Sequence, residues 1–247
     1  MRKIFTTIVL LSLMVVSSHA QVVFLRGDAN GDGVVDISDV VSVVNLVLNG
    51  GFDSNCPDDH HPHAIDLGLP SGTKWACCNV GATAPEDYGS YFAWGETKEK
   101  SVYDWSTYTY CDGTQWNCYD IGSNISATKY DAAYVKWGSN WQMPTYEQFK
   151  ELQDKCKDYQ FIYINGTSNR GLRITGPNGN KIILPAGGSY KNGGKQNVDK
   201  YGDYWAGKPH PDDDRCAYVF FYHQYSGGLD NTDGARCNGC NIRPVTK

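Results

Sequence analysis

After its first twenty residues the chain has no apolar run long enough to cross a membrane. It also lacks an excess of positive charge. Lys and Arg number 22 against 27 Asp and Glu, for a net charge of -5. That balance disfavours nucleic acid and anionic membrane surfaces as partners. Methionine is scarce, and no low-complexity tract occurs. The short motifs of common enzymes are missing too: no G-x-S-x-G, HExxH, phosphate loop or dinucleotide fingerprint is present. A glycosidase would need two carboxylates about 5–10 Å apart, and nothing in the sequence pairs Glu96, Glu147 or Asp203. Catalysis is therefore not expected.

What is present begins with an export signal. Arg2 and Lys3 precede the apolar stretch Ile4 to Val16, which is short for a bilayer span, and Ser18-His19-Ala20 supplies the small residues of a cleavage site. The expected mature chain starts near Gln21 and is secreted, whether to the periplasm, the cell surface or beyond. No cysteine follows the cleavage site to take a lipid anchor. Export permits disulfides among the nine cysteines, and Cys111/Cys118 and Cys237/Cys240 are close enough to close short loops. The odd count leaves at least one thiol free or paired between chains. The Cys237/Cys240 pair has no second CxxC or paired histidines beside it, so a disulfide or free thiols are expected there rather than zinc.

Residues 27 to 50 read GDANGDGVVDISDVVSVVNLVLNG. Oxygen-bearing side chains recur as Asp28, Asn30, Asp32, Asp36 and Asp39, with Gly33 at the sharp turn and the Val34 carbonyl as a further ligand. This is the spacing at which a tight loop converges six to eight oxygens on calcium. Without the ion the carboxylates repel, each close pair costing about 1–4 kcal/mol. Val35 is expected to point into a small core. A short helix follows from Ser38, with Ser42, Asn45 and Asn49 as its polar stripe and Asn49-Gly50-Gly51 as its end. The segment resembles one repeat of a dockerin, the module that plugs into cohesin domains of polysaccharide-degrading assemblies. The resemblance implies Asp28, Asn30, Asp32, Asp36 and Asp39 as calcium ligands. Dockerins normally carry two such repeats, and a second is not found here.

Residues 52 to 64 are polar, proline-containing and aperiodic, which reads as a linker. Cys56, His60, His61 and His63 within it have transition-metal chemistry, but a flexible segment preorganises them poorly, so a solvated boundary is expected.

From Ile65 the composition changes. Among 17 Tyr, 7 Trp and 27 Gly in the chain, most of the aromatics lie in this part, which suits a β-rich or irregular domain. A helix is predicted from Thr145 to Cys156, with Thr145 as cap, Glu147 complementing the helix dipole, and Phe149 and Leu152 on one face. Strands are predicted at 65 onward, 161–164, 172–175 and 181–184, with a tight turn at Pro177 to Asn180, and a last pair at 217–223 and 241–245. One helix among short strands and long aromatic loops gives an α+β class. The phrases IDLGLPSGTKWACCNVGATAPEDYGSYFAWGET, KWGSNWQMPTYEQFKEL, GNKIILPAGG and IRPV resemble the Fibrobacter succinogenes major paralogous domain over nearly all of 65–247. That family is found in secreted bacterial proteins, and the resemblance implies a C-type-lectin-like fold. Family members usually show Tyr-Trp-Ser-Ser where this chain has Tyr204-Trp205-Ala206-Gly207. The W-x-MPTYEQF phrase is also similar to formylglycine-generating enzymes, but their pair of reactive cysteines cannot be placed here, and fold does not transfer chemistry.

Flat aromatic faces are what sugars and protein hot spots exploit. Trp75, Trp137 and Trp141 sit within the family phrases and are expected to be structural. Trp105, Trp116 and Trp205 lie in polar stretches and are the candidates for ligand binding. Asp212-Asp213-Asp214 reads as a solvated loop, with a second calcium site as the lesser alternative. The expected function is a non-catalytic, calcium-binding accessory protein of polysaccharide catabolism, with glycan or a cohesin-like protein as partner. The rival is a surface protein-interaction or structural module with no glycan affinity.

Overall fold

The computed structural model describes residues 35–37, 40, 56, 60–164, 167–191, 193–223 and 226–247, with the backbone alone over 226–233. The chain divides into two compact units, Met1–Gly51 and Phe52–Lys247. In the first, the signal peptide and the loop residues Asp28, Asn30, Asp32, Val34 and Asp39 lie outside the described residues. Asp36 is exposed. Val35 is 53% exposed, and so is not buried in the small core expected of it.

The second unit takes in residues 52–64, expected to be a linker, and is a mixed α+β body made mostly of strands. Its first strands are β1 (Ala64–Asp66) and β2 (Lys74–Ala76). Two helices follow, α1 (Ala132–Trp137) and α2 (Tyr146–Lys155). Then come β3 (Asp158–Tyr163), β4 (Arg170–Thr175), β5 (Lys181–Pro185), β6 (Ser189–Lys191) and β7 (Gly194–Gln196). The last are β8 (Tyr201–Pro209), β9 (Cys216–His223), β10 (Ser226–Ala235) and β11 (Val245–Thr246). They form antiparallel sheets in the orders β1-β2-β11, β3-β4-β5, β8-β9-β10 and β6-β7.

Helix α2 forms where predicted and for the expected reason. The Thr145 side chain accepts from the Gln148 amide while the Gln148 side chain accepts from the Thr145 amide, a complete capping box. Phe149 and Leu152 are its buried residues. Phe149 stacks on Phe220 of β9 at 4.4 Å between ring centroids and tilts against Trp75 of β2 at 5.1 Å. The meander β3-β4-β5 extends the predicted strands, and the turn between β4 and β5 closes through Gly176 N–H to Asn180 O at 2.8 Å.

The predicted pairing of 217–223 with 241–245 is corrected. Strand β9 pairs instead with β8 and β10, and Val245 pairs with Trp75 of β2. The segment 241–245 is buried throughout and lies beside β8 at Asn241 and beside β2 at Val245, not beside β9. Asn241 bonds across to Asp203 and Trp205 through its own backbone.

Between Ala76 and Ala132 the described chain has no strand or helix. A stretch that long without secondary structure has many carbonyls to satisfy, and the aromatics supply the donors. Tyr91 Oη donates to Gly187 O at 2.7 Å and Tyr108 Oη to Trp94 O at 2.8 Å. The Trp94 indole donates to Ala206 O at 3.0 Å. Each ring thus brings buried apolar area and one directional tie, which is how an irregular segment acquires a fixed shape. Among the described residues no helix is long and apolar enough to cross a membrane.

Candidate functional site

A cleft of about 230 Å³ opens beside the β8-β9-β10 sheet and the β6-β7 hairpin. Alternation along β8 puts Tyr201 and Asp203 on one face, and Asp203 stands directly opposite Phe221 of β9. Strand β6 contributes Ser189 and Lys191, and the turn after β7 contributes Asn197. The hairpin is held over the sheet by paired bonds between Tyr190 and Gly239, at 2.7 and 2.8 Å, and by Gly188 N–H to Tyr201 O at 2.8 Å. Gly188 has φ +59, and a side chain there would collide with the Gln196 carbonyl, so glycine is required for β6 to reach the cleft.

Burial pushes the Asp203 carboxyl above the usual aspartate range, opposed by a hydrogen bond from Ser189 and by the Lys191 charge. The rings of Tyr201 and Phe221 meet edge to face at 5.3 Å. The cleft therefore offers an acceptor, a cationic donor, a hydroxyl and an amide beside two aromatic faces. Asp203 is the one carboxylate among its lining residues. Glu96 and Glu147 are engaged elsewhere, Glu96 with Lys100 at 2.8 Å and Glu147 with Lys208 at 3.8 Å.

The three predicted aromatic ligands meet different fates. Trp205 is corrected: it is fully buried and its indole donates to Phe92 O at 2.7 Å, because β8 turns that face into the core and not toward solvent. Trp105 is half-buried against a cluster of tyrosines. Trp116 is 71% exposed. It rides on a loop closed by the Cys111–Cys118 disulfide, and the Arg215 guanidinium lies 5.7 Å from its ring centroid. Arg215 in turn grips Asp213 at 2.7 Å, and Asp212, Asp213 and Asp214 line a second, shallower cavity of about 420 Å³. None of the cleft's polar residues was expected from sequence. The sequence offers Asp203 only as half of a catalytic pair, and Ser189 and Lys191 on β6 and Asn197 in a turn are linked to it by no local motif.

The chain matches no family model, no curated protein and no solved structure.

Elsewhere, Cys56, His61, His63 and Cys77 bring four donor atoms within 4.8 Å of one another. Here the expectation of a solvated linker gives way: His61 and His63 are half-buried, and Cys77 is buried at the end of β2. A hydrogen bond from the neighbouring Cys78 thiol, then bonds from the His63 amide and the two imidazoles, pull the Cys77 thiol well below its usual value, while Cys78 is pushed up by the same contact and by burial. Burial pushes the thiols of Cys156 and Cys237 up to about 11 and that of Cys240 well above its usual value. Cys237 and Cys240 do not form the disulfide considered for them.

Proposed function

We propose that this is a secreted, non-catalytic accessory protein that binds carbohydrate through the Asp203 cleft. In this reading its larger unit is a C-type-lectin-like module of the Fibrobacter succinogenes major paralogous type, and its N-terminal segment is a dockerin-type calcium loop with a role in polysaccharide catabolism. The cleft carries the reading. A sugar presents hydroxyls that both donate and accept, beside apolar C–H faces, and the cleft pairs Asp203, Lys191, Asn197 and Ser189 with the Tyr201 and Phe221 rings. Its volume of about 230 Å³ lies below the common range of roughly 300–1,000 Å³ for ligand pockets. It suits one terminal sugar ring better than an enclosed chain. The small antiparallel sheets joined by long, aromatic-anchored loops support the lectin-like assignment.

A glycan array spanning plant, algal and mucin glycans tests it. Retention is expected for a restricted set of glycans, and Asp203→Asn should weaken it at least about tenfold, the effect of losing one charged hydrogen bond of 1.5–3 kcal/mol. No retention on any glycan would overturn the reading.

One observation favours the rival, protein interaction: Trp116 is 71% exposed and Tyr119 51% exposed at one disulfide-closed loop. Exposed aromatics beside an arginine have hot-spot composition. In a pull-down, loss of a bound protein with Trp116→Ala, together with a blank glycan array, would favour this rival.

A further inference from the structure

We propose that Cys56, His61, His63 and Cys77 form a tetrahedral zinc site that clasps Cys56 and the two histidines to the chain just after β2. The site is independent of the cleft and of the calcium loop, and it goes beyond the reading above.

The geometry is that of a coordination sphere. Cys56 Sγ lies 3.3 Å from Nδ1 of both His61 and His63. Cys77 Sγ lies 3.3 Å from His61 Nδ1 and 3.7 Å from His63 Nδ1. For zinc at 2.3 Å from sulfur and 2.0–2.1 Å from nitrogen, tetrahedral angles separate the two donor types by about 3.5 Å. All four contacts fall within a few tenths of an ångström of that figure. Two thiolates and two neutral imidazoles also balance the charge of the ion, and a tetrahedral S₂N₂ set is the zinc signature.

A cation at the centre would be bonded by all four donor atoms at once. The supporting atoms are in place as well. The His63 amide donates to Cys77 Sγ at 3.1 Å, an outer bond of the kind that orients a thiolate ligand. The buried Arg243 fixes the backbone on the other side, donating to Ala76 O at 3.0 Å and Cys77 O at 2.9 Å. His61 and His63, two residues apart and just ahead of β1, reach the same centre. Their rings meet edge to face at 5.5 Å. Four protein ligands close the sphere, which makes this a structural site and not one that activates water.

The test uses the purified protein. Elemental analysis should find about one zinc per chain, as a closed structural site requires. Replacement by cobalt(II) should give the visible bands of a tetrahedral ion and an intense sulfur-to-cobalt charge-transfer band, which no oxygen-ligated calcium loop can produce. Millimolar calcium should leave those bands unchanged. Cys77→Ser should abolish them, while His60→Ala should keep both the zinc and the spectrum. Should Cys77→Ser fail to fold, thiol titration of the unaltered protein serves: Cys56 and Cys77 should react only after a chelator strips the metal. A cobalt-loaded protein without a charge-transfer band, absence of stoichiometric zinc, or a Cys56 disulfide on peptide mapping would each overturn the proposal.

Discussion

Asp131 is buried before α1, and its two oxygens accept four backbone N–H groups: Ala133 and Tyr134 of the helix at 2.8 and 3.2 Å, and Ala127 and Met143 at 2.9 and 2.7 Å. One side chain thus caps a helix and ties down the turn before it and the loop after it. Asp131→Ala leaves these donors unmet, those of Ala133 and Met143 in buried positions, and should cost about 3 kcal/mol or more. In thermal unfolding that corresponds to a drop of about 6–12 °C at this chain length. Asp131→Asn should also destabilise, because its amide would face the Ala127 and Met143 donors at the Oδ2 position. At the cleft, the raised Asp203 carboxyl gives a pH signature. Binding that needs the ionised carboxylate is lost as pH falls through the folded value, which lies above that of an ordinary aspartate. Affinity titrated against pH should therefore fade earlier on acidification than in a site built on an exposed aspartate. In Asp203→Asn this pH dependence should vanish.

Among the elements, α2 was readable because its information is local: a capping threonine, a glutamine three residues on, and two apolar residues at helical spacing. Thr145→Ala should cost about 0.5–2 kcal/mol, seen as a lower denaturation midpoint. In the β8-β9-β10 sheet only β9 is legible in the sequence, as the strand predicted at 217–223. Strand β10, SGGLDNTDGA, has neither alternation nor β-branched runs; it is a strand because β9 beside it offers a ladder, with a register irregularity between Ser226 and Asp230. Strand β8 is hidden because four buried residues in a row, Tyr204 to Gly207, break the alternation and mix glycine with aromatics that face the core. Tertiary context decided both. The Cys56 cluster is half legible: three of its members lie together in the sequence, but the fourth, Cys77, follows β2, 14 residues beyond His63, and only the fold brings it back. The Cys111–Cys118 loop was read correctly from its spacing. With 7 residues of separation, closing it restricts the unfolded chain by about 2.5 kcal/mol in the loop-entropy account. Selective reduction or Cys111→Ser should lower stability by up to that amount and weaken any binding that depends on Trp116.

At the scale of the whole chain, two units imply two metal chemistries with separate readouts. Calcium is expected to bind the N-terminal loop at about 10⁻⁴–10⁻³ M, as extracellular modules do, and isothermal titration at millimolar calcium checks it. Zinc is held by sulfur and nitrogen in the larger unit. A chelator selective for zinc should expose the stretch from Cys56 to His63 to proteolysis while leaving the body beyond Lys74 intact, since that body is fastened by its own core and by tyrosine hydroxyls bonded to loop carbonyls. If the stretch remains resistant, hydrophobic packing of Cys56 against the core is sufficient to hold it.

The contrast between Trp116, standing in water, and Trp75, Trp94 and Trp205, sealed from it, gives the molecule its own optical label. Iodide or acrylamide should quench the light of Trp116 first and spare the sealed indoles. A partner that settles on the disulfide-closed loop would shield that emission, whereas a sugar entering the Asp203 cleft would leave it open to the quencher. The two modes of recognition can then be told apart by fluorescence in unlabelled protein.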